Sequence, residues 1–322
     1  MQREGWSPVG ERTHILVLNH NGLRWLRDCL PSVVRAAAAV PGGCRVSVVD
    51  NASTDDSISY LTAKWPTVGV IREPNRGLAS FNAVLARLNE RVVVLLNNDV
   101  RLDEQAIAPL VMEVERWEDA LFAAPQCWTA DGKTFEGMRT RVRTRFGLVQ
   151  GMSRVPGHEQ FVDVADLTAA AGPVLAVHRE RFLSTGGYDP VYFPGRIEDL
   201  DLGFRGWMAG LRGYYVPSSR AWHVGFGTFG PAFGASGCDR LALRNSCVFA
   251  WKNLAGPRLA NHLAWLPLRI ARAVVSGRLG ALMAIAEAAG MLRDVKAARR
   301  RLGVGRGNWN ERQEAFFQRF AW

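Results

Sequence analysis

Residues 92–100 read Val92-Val93-Val94-Leu95-Leu96-Asn97-Asn98-Asp99-Val100. Five apolar residues in a row, three of them β-branched, predict a strand buried on both faces. The run stops abruptly in three polar residues. In an open α/β sheet, ligands bind just beyond the carboxyl ends of the strands, so this stretch is placed to carry Asn97, Asn98 and Asp99 through the core to a site. One carboxylate flanked by amide oxygens suits a hard divalent cation that also holds phosphate oxygens. Asn and Asp are equally common in a plain strand-ending turn. The neighbouring segments separate the two readings.

Upstream, residues 13–18 read as a first strand. Asn19-His20-Asn21-Gly22 follows, then a helical pattern on Leu23, Leu26, Leu30, Val33 and Val34. Residues 46–49 form a second strand ending at Asp50-Asn51-Ala52-Ser53-Thr54-Asp55, where Ser53 or Thr54 is placed to cap the next helix. Residues 68–71 form a third, which runs into Asn75-Arg76-Gly77 and a helix through Phe81, Val84, Leu85 and Leu88. Downstream come a helix over about 104–117 and a strand at 120–124. Strand–helix alternation at this spacing predicts a parallel sheet with helices on both faces. Four strand ends are polar in the same way (Asn19/Asn21, Asp50/Asn51, Asn75/Arg76 and 97–99), which points to one shared crevice. The first strand–helix turn holds only Gly22, so the GxGxxG of a dinucleotide fold is missing. A GxxxxGK[ST] phosphate loop is missing as well.

The bulk composition fits this picture. The chain has 322 residues, 48% hydrophobic and 22% charged, as expected of a folded protein with one large or two smaller domains. Five scattered cysteines with no CxxC pair disfavour a disulfide framework or a zinc site and fit a reducing compartment. No signal peptide and no membrane-spanning run are expected. The net charge of +10 is uneven, because residues 251–322 hold 13 Lys+Arg against 4 Asp+Glu while the remainder is nearly neutral. A nucleic-acid-binding core would carry its own basic face, so no nucleic-acid partner is expected.

Arg139, Arg141, Arg143 and Arg145 alternate with Thr140, Val142, Thr144 and Phe146. This is a strand pattern with one basic face, either a solvated edge or a contact for diphosphate or an anionic acceptor. Residues 169–177 predict another buried strand, and 186–190 a turn. Glu198, Asp199 and Asp201 crowd the first turn of a helix. The helix dipole favours negative charge there, but three carboxylates in four residues repel one another, which argues for a functional reason. His223 precedes a Gly/Phe loop at 225–230 with the composition of a mobile flap. From residue 241 the chain reads helical, over 241–251 and then 263–301 with interruptions at Pro267, Gly277, Gly280 and Gly290. Apolar residues mixed with arginines describe either an interfacial helix on an anionic membrane or an extension packed on the body with its arginines wet.

Taken together, these stretches resemble family 2 glycosyltransferases of the GT-A fold, of the bacterial rhamnosyltransferase-like kind. The resemblance rests on residues 15–22, on 48–55, on Asn75-Arg76-Gly77 with Asn82, and on 95–99. It continues in Gly186-Gly187-Tyr188-Asp189, in Glu198-Asp199-Leu200-Asp201-Leu202 with Arg205, in His223, and in Arg244-Asn245. It covers about residues 13–255. It implies an α/β, Rossmann-like, mostly parallel sheet flanked by helices. Residues 1–255 would form the nucleotide-sugar glycosyltransferase domain and 256–322 a basic amphipathic helical extension. Asp50 would hydrogen-bond the donor's pyrimidine, with His20, Asn21, Asn51 and Arg76 on the nucleotide side and Asn98 toward the ribose. Asp99 and His223 would hold Mg²⁺ or Mn²⁺ on the diphosphate. Asp199 would be the general base, with Glu198 and Asp201 positioning the acceptor or the base.

The expected activity is therefore metal-dependent, inverting transfer of a sugar from a UDP- or dTDP-sugar to a hydroxyl of a lipid- or polysaccharide-linked acceptor in cell-envelope glycan synthesis. The enzyme is expected in the cytoplasm, peripheral to the inner face of the membrane. Such chemistry needs a base for the acceptor hydroxyl and positive charge on the departing diphosphate. A carboxylate at a helix N-terminus is expected to stay ionised, as a base must. The rival class is a non-catalytic nucleotide-sugar or anionic-surface binding module acting through the basic tail.

Overall fold

The structure, a computed structural model, describes residues 13–137, 139–225 and 229–322. The first half alternates as expected: β1 (Thr13–Asn19), α1 (Leu23–Ala39), β2 (Arg45–Asn51), α2 (Ser57–Lys64), β3 (Gly69–Glu73), α3 (Ser80–Leu85), β4 (Val92–Asn97), β5 (Val100–Leu102), α4 (Ile107–Arg116) and β6 (Ala120–Thr129). Short strands follow: β7 (Phe135–Gly137), the hairpin β8 (Arg141–Arg145) and β9 (Leu148–Met152), β10 (Asp166–Leu167) and β11 (Val174–His178). Then come α5 (Arg179–Ser184), α6 (Glu198–Met208) and the long β12 (Arg212–His223). The described chain closes with α7 (Phe229–Asn253), broken by a kink at Gly234, then α8 (Gly256–Val275), α9 (Leu279–Gly290), α10 (Leu292–Leu302) and α11 (Trp309–Arg319).

The main sheet runs β10-β12-β6-β11-β4-β1-β2-β3, with β5 paired to β12 and β7 to β6. β3, β2, β1 and β4 are mutually parallel, and β12 is parallel to β6. β11 is inserted antiparallel between β4 and β6, so the sheet is mostly rather than wholly parallel. All five apolar residues of β4 are buried, because β1 and β11 flank it in the sheet and helices cover its faces. The carboxyl ends of β1, β2 and β4 lie side by side, with Asn19 opposite Asp50 and Leu18 opposite Asn97.

Several local expectations differ from the structure. The strand expected over 169–177 begins only at Val174. Ala169 instead supports α6, so closely that a Cβ on Gly203 would meet the Ala169 carbonyl oxygen at 2.0 Å. Neither Ser53 nor Thr54 caps α2, whose first turn is not acidic. Ser53 turns back and accepts from the Asn21 amide at 3.0 Å. The alternating arginines divide: Arg145 stays exposed at the hairpin tip, while two of them are taken up inside the protein. Arg139 and Arg141 both donate to Asp166 Oδ2, at 2.7 and 2.8 Å, and Arg319 donates to the other oxygen of the same carboxylate.

The boundary expected at 255/256 does not separate two cores. The sheet has one core; a second is shared by Val142, Leu148, Leu200 and Phe204 with Ile285, Val295, Phe316 and Phe320. Phe316 sits against Phe204 with ring centroids 5.0 Å apart. Much of the tail's basic charge fastens it down. Arg299 donates to the Trp251 and Leu254 carbonyls, Arg312 to that of Met208, and Arg258 pairs with Glu314 at 2.6 Å. Among the described residues no helix is long and apolar enough to cross a membrane. The flap expected over 225–230 lies outside the described residues at 226–228; from Phe229 the backbone is helical up to a kink at Gly234.

Candidate active site

The polar ends of β1, β2 and β4 form one hydrogen-bonded network. Asn98 Nδ2 donates to Asn19 Oδ1 at 2.7 Å. Asn19 Nδ2 donates to Ser53 Oγ at 3.2 Å and leans on Asp50 Oδ1 at 3.5 Å, while the Ser53 amide donates to Asp50 Oδ2 at 3.1 Å. Asn21 Oδ1 gathers the Thr54 and Asp55 amides, and His20 Nδ1 donates to the Asn51 carbonyl at 2.8 Å. Asn51 Nδ2 reaches the Gly77 carbonyl at 3.1 Å, which ties in the loop carrying Arg76. Asn51 Oδ1 is buried and has no partner, an open acceptor where a buried polar atom ordinarily has one. Asn21 and Ala52 sit at φ 48° and 57°, a left-handed strain typical of ligand-gripping loops. Gly22 is required by close approach, since a Cβ there would lie 1.9 Å from Asn98 Nδ2.

The structure thus brings His20, Asn21, Asp50, Asn51 and Asn98 together. Arg76 lies one loop away, lining a small cleft with Tyr188 and Glu198. Asn19, absent from the expected set, is the hub of the network.

Next to this network, β5 and the end of β12 bring Asp99 and His223 together. His223 Nε2 is 3.3 Å from Asp99 Oδ1, and its Nδ1 donates to Glu136 Oε2 at 2.8 Å. Burial alone would lower the imidazole pKa, but the hydrogen bonds it donates to the Asp99 and Glu136 carboxylates overcome this and raise the group to about 9. The donor chemistry fits a hard divalent cation, with one carboxylate oxygen and one imidazole nitrogen converging on a point. Glu136 fixes the ring from behind, as carboxylates do for metal-binding histidines. A cation held by this pair would have to displace the proton between Nε2 and Oδ1. Among the described residues no three His, Cys, Asp or Glu side chains are arranged to hold a metal by themselves. Diphosphate and water would complete the shell.

The third part is the start of α6. Arg196 and Ile197 both adopt left-handed backbone, at φ 82° and 74°, a costly choice for a β-branched residue. Asn245 on α7 holds this bend, its Nδ2 reaching the carbonyls of Tyr192, Gly195 and Arg196 at 2.7–3.1 Å. The bend presents Glu198 and Asp199. Burial pushes the Asp199 carboxyl up to about 7, against a hydrogen bond from Tyr188 at 3.4 Å and the charge of His223. Burial and the Asp199 charge raise Glu198 as well, and its Oε2 is buried without a partner. Desolvation therefore outweighs the helix dipole, contrary to the expectation that these acids stay fully ionised.

Asp201 sits elsewhere. Fully buried, it accepts from Tyr192, Arg205, Lys252 and Asn253 at 2.7–2.9 Å. Burial would raise it, but Lys252 and Arg205 hold it well below the usual carboxylate range. It is thus saturated by its own protein and anchors α6 to α7, rather than facing an acceptor. Trp207 packs on Phe316 and Trp251 on His262. Trp222, beside Trp128 in register, lines a separate cleft of ≈ 850 Å³.

Comparison with known proteins identifies the family. Residues 14–164 match the model for glycosyl transferase family 2. A Mycobacterium bovis glycosyltransferase described as uncharacterized is 30% identical over 169 residues, covering 50% of this chain and 67% of that one. The N-acetylglucosaminyl-diphospho-decaprenol L-rhamnosyltransferase of Mycobacterium tuberculosis is 27% identical over 205 residues. That match covers 55% of this chain and 66% of the enzyme, a little under two-thirds of its length. The chain belongs to glycosyl transferase family 2.

Solved structures show the fold. The Pyrobaculum calidifontis mannosyltransferase PcManGT, in complex with GDP-Man and Mn²⁺, aligns with TM-score 0.53 at 17% identity, over 92% of this chain and 85% of that one. GalNAc-T7, with UDP, GalNAc and Mn²⁺, aligns with TM-score 0.52 at 20% identity, over 66% and 43%. The fold is GT-A, with a C-terminal helical region.

Proposed function

We propose that this glycosyltransferase moves a sugar, with inversion, from a UDP- or dTDP-sugar to a hydroxyl of a lipid- or polysaccharide-linked acceptor at the inner face of a membrane. The observation that carries the reading is the meeting of three groups at one sheet end. These are the β1–β2–β4 amide network, the Asp99–His223 pair, and Asp199, which lies within electrostatic reach of His223. The relative that acts on a diphospho-decaprenol-linked sugar supports the acceptor class.

In this reading Asp50 and Asn51 receive the pyrimidine, His20, Asn21 and Arg76 border the nucleotide, and Asn98 lies toward the ribose. Asp99 and His223 would hold Mg²⁺ or Mn²⁺, which when bound supplies positive charge to the leaving diphosphate. Asp199 takes the proton of the acceptor hydroxyl as its oxygen attacks the anomeric carbon. A base with pKa near the working pH is the efficient compromise between correct protonation and driving force. Tyr188 orients that carboxyl. Glu198, largely protonated beside an ionised Asp199, is free to donate a hydrogen bond to a sugar hydroxyl. Asp201, Lys252 and Asn245 hold the start of α6 in place.

The test is release of UDP or dTDP from a nucleotide-sugar panel, with and without a short-chain polyprenyl-diphosphate-linked sugar. Acceptor-stimulated release that disappears in Asp199→Asn supports the assignment. Near-normal turnover in that variant refutes the base.

A further inference from the structure

The helices of the C-terminal region do not share one fate. α10 and α11 are drawn into the second core through Val295, Ala298, Trp309, Phe316 and Phe317. α8 is not, for in its 20 residues only His262 and Ala273 are buried. Along α8 and into α9 the exposed side chains are large and apolar: Leu268 (60%), Val274 (61%), Val275 (89%) and Leu279 (69%), with Leu263 and Met283 beside them. A soluble face would not present such a run.

The hairpin β8–β9 extends this face. Its tip residue Phe146 is 52% exposed and meets Trp265 edge-on at 5.0 Å. Arg269 donates to the Phe146 carbonyl at 2.7 Å, and His262 Nδ1 to that of Gly147 at 2.9 Å. Gly147 is packed so closely that a Cβ would meet His262 Cα at 2.7 Å. Hairpin tip and helix are therefore one locked surface.

The segments that build the surface carry charge of one sign; the Glu314 carboxylate of α11 meets α8 at Arg258, in its first turn. Residues 240–286 contain no Asp or Glu, and neither do 141–152. Arg145, Arg272 and Arg278 are exposed along its length. Apolar residues that enter the acyl boundary, bordered by cations and free of carboxylates, fit an anionic bilayer. A second copy of this chain would bring the same cations against these and meet repulsion.

We infer that the β8–β9 tip and α8, continued by the start of α9, form a monotopic docking face for an anionic lipid bilayer. Phe146, Trp265, Leu268 and Val275 enter the headgroup–acyl boundary, and Arg145, Arg272 and Arg278 meet lipid phosphates. This assigns membrane contact to one face, instead of to the whole basic tail. It deepens the proposed function but does not depend on the donor.

The test is flotation of the full chain with vesicles of 30 mol% phosphatidylglycerol in phosphatidylcholine, against pure phosphatidylcholine. Binding is expected to the anionic vesicles, falling about fivefold for each of Arg272→Gln and Arg278→Gln and at least about tenfold in Leu268→Asp/Val275→Asp. These positions are exposed, so the variants are expected to keep wild-type melting and nucleotide binding, which separates failure of the face from failure of the donor site. Absence of vesicle binding, or binding unchanged in the double Asp variant, overturns the inference. So does sedimentation showing a dimer that the Asp variant dissolves while vesicles are ignored.

Discussion

Replacing Lys252 with Met tests how the start of α6 is held. Lys252 and Asp201 are both fully buried, with Nζ 2.8 and 2.9 Å from the two carboxylate oxygens. Lys252 also pairs with Asp189 at 2.6 Å, beside the 186–190 turn. Removing one partner of a buried pair costs about 3–5 kcal/mol because the other charge is left uncompensated. Asp201 keeps Arg205, Tyr192 and Asn253, so the lower end, about 3 kcal/mol, is expected. At roughly 2 °C per kcal/mol for a chain of this size, Tm falls by about 6 °C. The pKa of Asp201 is depressed in the fold, so its stabilisation is present above the ordinary Asp pKa and lost as pH falls below it. The Tm difference between wild type and Lys252→Met should therefore shrink on acidification. Thermal unfolding by circular dichroism between pH 3 and 8, with nucleotide calorimetry beside it, reads both. A Tm change below about 1 °C at pH 7 would refute the reasoning, because it would mean that Arg205, Tyr192 and Asn253 satisfy the Asp201 carboxylate without the lysine.

Three further outcomes are expected. Asp199→Asn lowers kcat by on the order of 10²–10⁴-fold and leaves nucleotide Kd unchanged in calorimetry. In the wild type, log(kcat/KM) rises with unit slope as pH approaches about 7 and then levels, since the base must be ionised and burial has lifted Asp199 to about 7; a profile flat from pH 5 would contradict this. Gly22→Ala drives a methyl into Asn98 Nδ2 and breaks the Asn98–Asn19 bond, so nucleotide affinity falls while Tm drops by only about 2–4 °C.

The parallel part of the sheet was legible because its strands are unbroken β-branched runs closed by polar residues, as in 92–99. The acidic start of α6 was legible as an anomaly of like charges. What each carboxylate does was not, because it depends on distant partners. Asp201 is neutralised by Lys252, 51 residues away, and His223 is gripped by Glu136, 87 residues back on a three-residue strand with no pattern of its own. The arginine alternation predicted a strand correctly but not the partner of Arg139 and Arg141, because Asp166 lies 27 and 25 residues away from them. α11 carries Trp309, Phe316 and Phe317 at helical spacing, with Phe320 just past its end, yet it sits in a basic stretch that drew attention to charge instead of to its apolar face.

The measurement that bears most directly on the account is calorimetric binding of UDP and dTDP with Mn²⁺ or Mg²⁺, repeated in EDTA and with Asp99→Ala. Tight binding of one of the two nucleotides is expected, weakened at least about tenfold by EDTA and by the substitution alike. Binding that is indifferent to both would contradict the roles given to Asp99 and His223. Failure to bind either nucleotide would contradict the donor site itself.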